Sequence, residues 1–103
     1  MIRAQCIVHR GNKILMVKHR LNGIEWWSLP GGGVEQGETP SSAALRELDE
    51  ECCVKGKILH QTALWTDGIE VESVTFLIDI GNQEPNIGDD PEYAGFDRIL
   101  VDL

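Results

Sequence analysis

The sequence predicts an α/β fold, a mixed sheet carrying one helix on a face, and three observations lead there. Short apolar runs bounded by turn residues recur along the chain. A single stretch, residues 39–54, has both a helix start and helical spacing, and there is neither an internal repeat nor a low-complexity tract.

Taken in order, residues 3–8 and 13–17 are short apolar runs joined around Gly11-Asn12, which predicts a hairpin. Residues 26–29 form a short strand leading into the glycine run Gly31-Gly32-Gly33. Thr39 can cap a helix whose first position is Pro40, where no N–H is needed. Ala44, Leu48 and Cys52 then recur at i, i+4 and i+8 as the packing stripe. Residues 58–65 and 69–80 flank Asp67-Gly68, the strongest hairpin signal in the chain, although their alternation is only partly regular. Residues 98–103 close the pattern as a last strand. The connection 81–97 is long and carries Glu84, Asp89, Asp90 and Glu92, so it reads either as a surface loop or as a functional lid.

The helix carries a costly arrangement. Glu47, Glu50 and Glu51 stand at i, i+3 and i+4, so their carboxylates share a face. Like charges so placed repel by roughly 0.2–0.5 kcal/mol per pair, and Glu50 and Glu51 also sit near the C-terminal end, where the helix dipole disfavours anions. A charge run on a helix is ordinarily a solvated face laced with opposite charges. Here the basic partner within reach is Arg46, and no lysine falls among the carboxylates. Clustered carboxylates beside a glycine run offer the oxygen ligands that hard divalent cations such as Mg²⁺ take, together with phosphate oxygens of a substrate. Asp49 projects away from this face and is read as solvated.

These residues stand in one register that resembles the Nudix box, G-x5-E-x7-R-E-U-x-E-E-x-G-U, with U a bulky aliphatic residue. Gly32 takes the first glycine, Glu38 the isolated glutamate, Arg46 and Glu47 the arginine-glutamate pair, then Leu48, Glu50, Glu51 and Val54 follow. Cys53 replaces the second glycine, a position where a left-handed backbone is often adopted. Trp27, Leu29, Pro30 and Gly31 look like the W-x-L-P-G-G approach to the box. The resemblance implies a single Nudix-type domain over residues 1–103, with the box at 32–54 and the fold of an α/β/α sandwich. It also implies hydrolysis of a nucleoside diphosphate linked to another group, with Mg²⁺ or Mn²⁺ required. Carried over position by position, Glu47, Glu50 and Glu51 hold metal, one of them or a loop acid is the base, and a carbonyl near Gly31 completes the metal shell. Glu38 and Arg46 look like the structural pair tying loop to helix. Such domains usually run on to another helix, so the chain reads as truncated before it, or as a homodimer whose partner covers the sheet.

Composition fits a small enzyme: 103 residues with 42% hydrophobic content. The net charge of −8 offers no basic stripe for long nucleic acids or anionic membranes, whereas a small nucleotide bridged by metal meets no such objection. Cys6, Cys52 and Cys53 include no C-x-x-C, so neither a disulfide framework nor a zinc site is indicated. Without a signal segment or a long apolar run, a cytoplasmic location is expected.

Substrate recognition is less legible. Arg20 follows the second apolar run and suits bidentate phosphate recognition; the resemblance also implies a basic residue there. Glu92 is the first choice if a loop acid joins the site. Trp26, Trp65, Phe76 and Tyr93 could each stack on a base, though such aromatics more often simply pack. His9, His19 and His60 show no ligand spacing. Two other classes of function stay open: a catalytically silent nucleotide-binding domain and a regulatory module of a larger assembly.

Overall fold

Alternation in the first apolar run, with Ala4, Cys6 and Val8 buried, gives β1 (Ile2–Ile7) one covered face. In chain order there follow β2 (His9–Arg10), β3 (Lys13–Leu21), β4 (Ile24–Ser28), β5 (Gly31–Gly33), α1 (Pro40–Cys52), β6 (Lys57–Thr66), β7 (Glu72–Asp79) and β8 (Asp97–Asp102). The computed structural model describes residues 1–66, Gly68, 72–86 and the backbone of β8.

Among the described residues the strands form two sheets. One runs in the order β5-β1-β7-β6 and is mixed: β1 lies parallel to β7 and antiparallel to β5, while β6 is antiparallel to β7. The other centres on β3, which pairs antiparallel with β2, β4 and β8. Helix α1 packs chiefly on β1 and β5. The mixed sheet with a helix on its face is the architecture expected from the sequence. No helix among the described residues is long and apolar enough to cross a membrane.

The hairpin at Gly11-Asn12 forms, but its first arm is the short β2 rather than the first apolar run. Residues of β1 instead pair with β7, Ile2 opposite Glu72 and Ile7 opposite Leu77, and the Leu15 N–H donates to Val8 O (2.9 Å) where the chain passes between sheets. The physical reason is non-local: pairing with β7 sets Ala4 and Cys6, both fully buried, beside α1. The hairpin of β6 and β7 forms as expected, with Gly68 at φ +80° where a side chain would be strained. Asp67 lies outside the described residues. Strand β6 is the edge of its sheet, irregular in register at two places, and leaves Leu59, Leu64 and Trp65 exposed.

The helix begins and ends where its local chemistry dictates. The Ser42 N–H donates to Thr39 Oγ1 (3.2 Å) and the Thr39 N–H to Ser42 Oγ (3.1 Å), a reciprocal cap, with Pro40 at the first position. Cys53 ends it in the left-handed region at φ 57° and ψ 39°, its N–H donating to Asp49 O. The expected stripe of Ala44, Leu48 and Cys52 is wholly buried, and full burial of Leu48 contributes about 1.5–3 kcal/mol. Gly56 lets the helix settle on the sheet, for a Cβ there would collide with Ile78 and press on Leu45 and Leu48.

Candidate functional site

The glycine run is a strand rather than a free loop. Gly31, Gly32 and Gly33 pair with Gln5, Ala4 and Arg3 of β1, and the Cys6 N–H donates to Pro30 O (2.8 Å). Lacking side chains, β5 lets α1 approach closely: a Cβ on Gly32 would meet the Glu47 carboxylate at 2.5–2.9 Å, and one on Gly31 would strike the Ala4 carbonyl.

Into this seam the helix turns carboxylates. Glu47 is 5% exposed and Glu51 1% exposed, while the Glu50 side chain keeps 35% of its surface in water. The face expected to be a ligand face is therefore largely buried, which a solvated charge run would not be. Asp49, by contrast, stands apart and pairs with Lys55. Glu51 Oε1 accepts the Gly31 N–H at 2.9 Å, tying the end of the helix to the start of β5.

Arg46 gathers the remaining carboxylates. Its Nε donates to Glu38 Oε2 (2.8 Å) and its Nη2 to Glu38 Oε1 (2.9 Å) and Gly33 O (3.1 Å). Its Nη1 donates to Glu47 Oε1 (2.9 Å) and Glu50 Oε2 (3.2 Å). The Glu38 carboxylate also accepts the Glu35 N–H (2.9 Å). The hydrogen bonds from Arg46, with that backbone donor, hold the Glu38 carboxyl at about 2, and Glu38 first and Glu47 second raise the Arg46 guanidinium above its ordinary value. Glu38 and Arg46 thus form a bidentate pair between loop and helix. Beneath the seam, burial pushes the Cys6 thiol far up, with Glu51, Cys52 and Glu47 adding to the shift. Cys6, Cys52 and Cys53 carry reduced thiols.

The three helical glutamates do not converge on one point as they stand. Arg46 lies between Glu47 and Glu50, Glu51 faces the Gly31 N–H, and no cluster of three acidic, histidine or cysteine side chains poised for a cation occurs among the described residues. Their chemistry nonetheless fits a hard divalent ion. The donors are carboxylate oxygens, those of Glu47 and Glu51 nearly out of water, and the guanidinium that Glu47 and Glu50 share also holds Glu38.

Arg20 lies on β3 opposite Glu25, to which its Nε donates (3.2 Å), and Glu25 is held below the usual carboxylate range by Lys18 first and Arg20 second. It stands three rungs from Ser28, where β4 turns toward the glycine strand, or about 10 Å along the hairpin. Glu92 and Tyr93 lie outside the described residues. Phe76 is a buried packing residue and Trp65 an exposed one. Sequence reasoning missed the Gly33 carbonyl, Glu35 and Cys6 as neighbours of the box; the run of three glycines was the available signal for the first.

The NUDIX domain family matches residues 1–102. An ADP-ribose pyrophosphatase of Methanocaldococcus jannaschii is 33% identical over 96 residues, 87% of this chain and 57% of that protein. An RNA pyrophosphohydrolase of Rickettsia bellii is 42% identical over 60 residues, 57% of this chain and 37% of that protein. The chain thus spans between about a third and three-fifths of the length of these relatives. A NUDIX hydrolase structure from Nitrosomonas europaea superposes with a TM-score of 0.80 at 20% identity, covering 98% of this chain and 71% of that one, which identifies the fold as the Nudix α/β/α sandwich. With the box residues gathered between one helix and one glycine strand and the family match running through residue 102, the chain belongs to the NUDIX domain family.

Proposed function

We propose that this chain hydrolyses a pyrophosphate bond in a nucleoside diphosphate linked to another group, such as a nucleoside triphosphate, ADP-ribose or a nucleotide sugar, with Mg²⁺ or Mn²⁺ as cofactor. The observation that carries the reading is the withdrawal of Glu47 and Glu51 from water against a glycine strand. Burying carboxylates is costly, and here two are set against a strand whose Gly32 leaves room for the Glu47 carboxylate. The family and the pyrophosphate chemistry in its relatives' names support the same class.

Glu47, Glu50 and Glu51, with a carbonyl near Gly31, would hold the cation. When bound it supplies neutralisation of phosphate oxygens and a water of lowered pKa. The protein's own groups do the rest. Arg46 orients Glu47 and Glu50 while its grip on Glu38 fixes the helix against the loop. One of the three glutamates, or an acid of the 81–97 segment with Glu92 foremost, takes the proton from the water that attacks phosphorus. Arg20 stands on the hairpin face of Lys18 and Trp27, where its exposed partner Glu25 can be exchanged for a phosphate oxygen of a substrate that reaches that face.

A turnover assay with nucleoside triphosphates, ADP-ribose, nucleotide sugars and dinucleoside polyphosphates, with and without Mg²⁺, tests the reading. Metal-dependent release of a nucleoside monophosphate or of pyrophosphate supports it. Binding of nucleotides without turnover of any of them makes the chain a silent nucleotide-binding domain.

A further inference from the structure

Strand β3 buries Leu15 and Val17 completely, so the odd-numbered positions of this strand face the interior. His19 continues that face beyond the core. Residues directly opposite in an antiparallel pair share a face, which places Trp26 beside His19 and Ser28 beside Val17. The contacts agree: the His19 and Trp26 rings stack with centroids 5.2 Å apart and planes 6° from parallel, and His19 Nε2 lies 2.6 Å from Ser28 Oγ. Trp26 remains 44% exposed although one ring face is against His19, so much of that exposure belongs to its other face and edges. Past Ser28 the chain runs through Leu29 and Pro30 into Gly31, whose N–H is held by Glu51. An oriented, half-exposed indole thus stands on the interior face of the hairpin that feeds the glycine strand, five residues and at most about 18 Å of chain from the carboxylates' anchor.

Resting on the nucleotide reading above, we propose that Trp26, backed by His19, is the platform on which the substrate's nucleobase stacks while the phosphates lie toward Glu47 and Glu51. Trp27 is the internal contrast. It is also exposed, but it pairs with Lys18 on the opposite face of the hairpin, with the ammonium 5.7 Å from its ring, and takes no part. Stacking reads the π-face that every base has, so the platform favours nucleotides over bare phosphates without discriminating strongly among bases.

The test uses fluorescence. In the Trp27→Phe, Trp65→Phe double variant, Trp26 is the sole indole. With Mg²⁺ present, ADP, GDP and UDP should quench it saturably, and inorganic pyrophosphate should not. Trp26→Ala should raise KM for the substrate found in the panel roughly 5- to 150-fold with kcat within about twofold, Trp26→Phe should recover most of the loss, and Trp27→Ala should change neither constant. Absence of quenching by all three nucleotides while metal-dependent turnover persists overturns the platform and leaves the hydrolase standing. Saturable quenching without turnover supports the platform and sinks the hydrolase instead. Because the titration keeps Trp26 in place, it decides the matter even if Trp26→Ala fails to fold.

Discussion

Arg46 holds Glu38 through two parallel hydrogen bonds, Nε to Oε2 at 2.8 Å and Nη2 to Oε1 at 2.9 Å, across eight residues of sequence. The same guanidinium reaches the Gly33 carbonyl, Glu47 and Glu50, so one side chain sets the distance between β5 and α1. Glu38→Gln leaves Arg46 with a neutral partner and should lower the melting temperature. Because Arg46 depresses the Glu38 carboxyl from 4.5 to about 2, the stability it contributes is fully present above about pH 4.5 and is lost as pH falls toward 2. The difference in unfolding free energy between the parent and Glu38→Gln should therefore be flat above pH 5 and shrink below it. A difference that grows on acidification would contradict the pairing.

Cys53 adopts φ 57° at the helix end, a conformation in which glycine carries no penalty. Cys53→Gly should raise stability by about 1 kcal/mol, less whatever the more flexible unfolded chain takes back, with turnover unchanged. A denaturation midpoint that stays put or falls would show that the side chain is not strained there.

Arg20 is exposed and its ion pair with Glu25 is of a kind that contributes little to folding. Arg20→Ala should leave the melting temperature nearly unmoved. If Arg20 meets a substrate phosphate, a charge-assisted hydrogen bond worth about 1.5–3 kcal/mol is lost and KM rises at least several-fold. Unchanged kinetics would return Arg20 to its partner across the hairpin.

Local chemistry was legible in the sequence and side-chain reach was not. Thr39, Pro40 and Cys53 mark the ends of α1 because capping and left-handed termination depend on residues a few positions apart. The route of β1 was hidden, since its parallel partner β7 begins some seventy residues later and nothing in residues 3–8 distinguishes that pairing from a hairpin with β3. Helical spacing put Glu47, Glu50 and Glu51 on one face, but spacing carries no rotamers. It could not show that Arg46 stands between two of them or that Glu51 takes the Gly31 N–H. The reason Gly32 is glycine, the Glu47 carboxylate lying where its Cβ would be, is likewise a fact of packing.

Whether this glutamate cluster serves a divalent cation and hydrolysis is decided by Glu51→Gln. Glutamine keeps the shape and an oxygen to accept the Gly31 N–H, but removes a charge that is 1% exposed. Calorimetry with and without Mg²⁺, run beside the turnover assay, should show turnover reduced by orders of magnitude. The metal-free melting temperature should be equal or higher, and the rise in melting temperature produced by Mg²⁺ should be diminished. A Glu51→Gln variant that melts lower without metal yet hydrolyses its substrate normally would make the cluster structural and contradict the account.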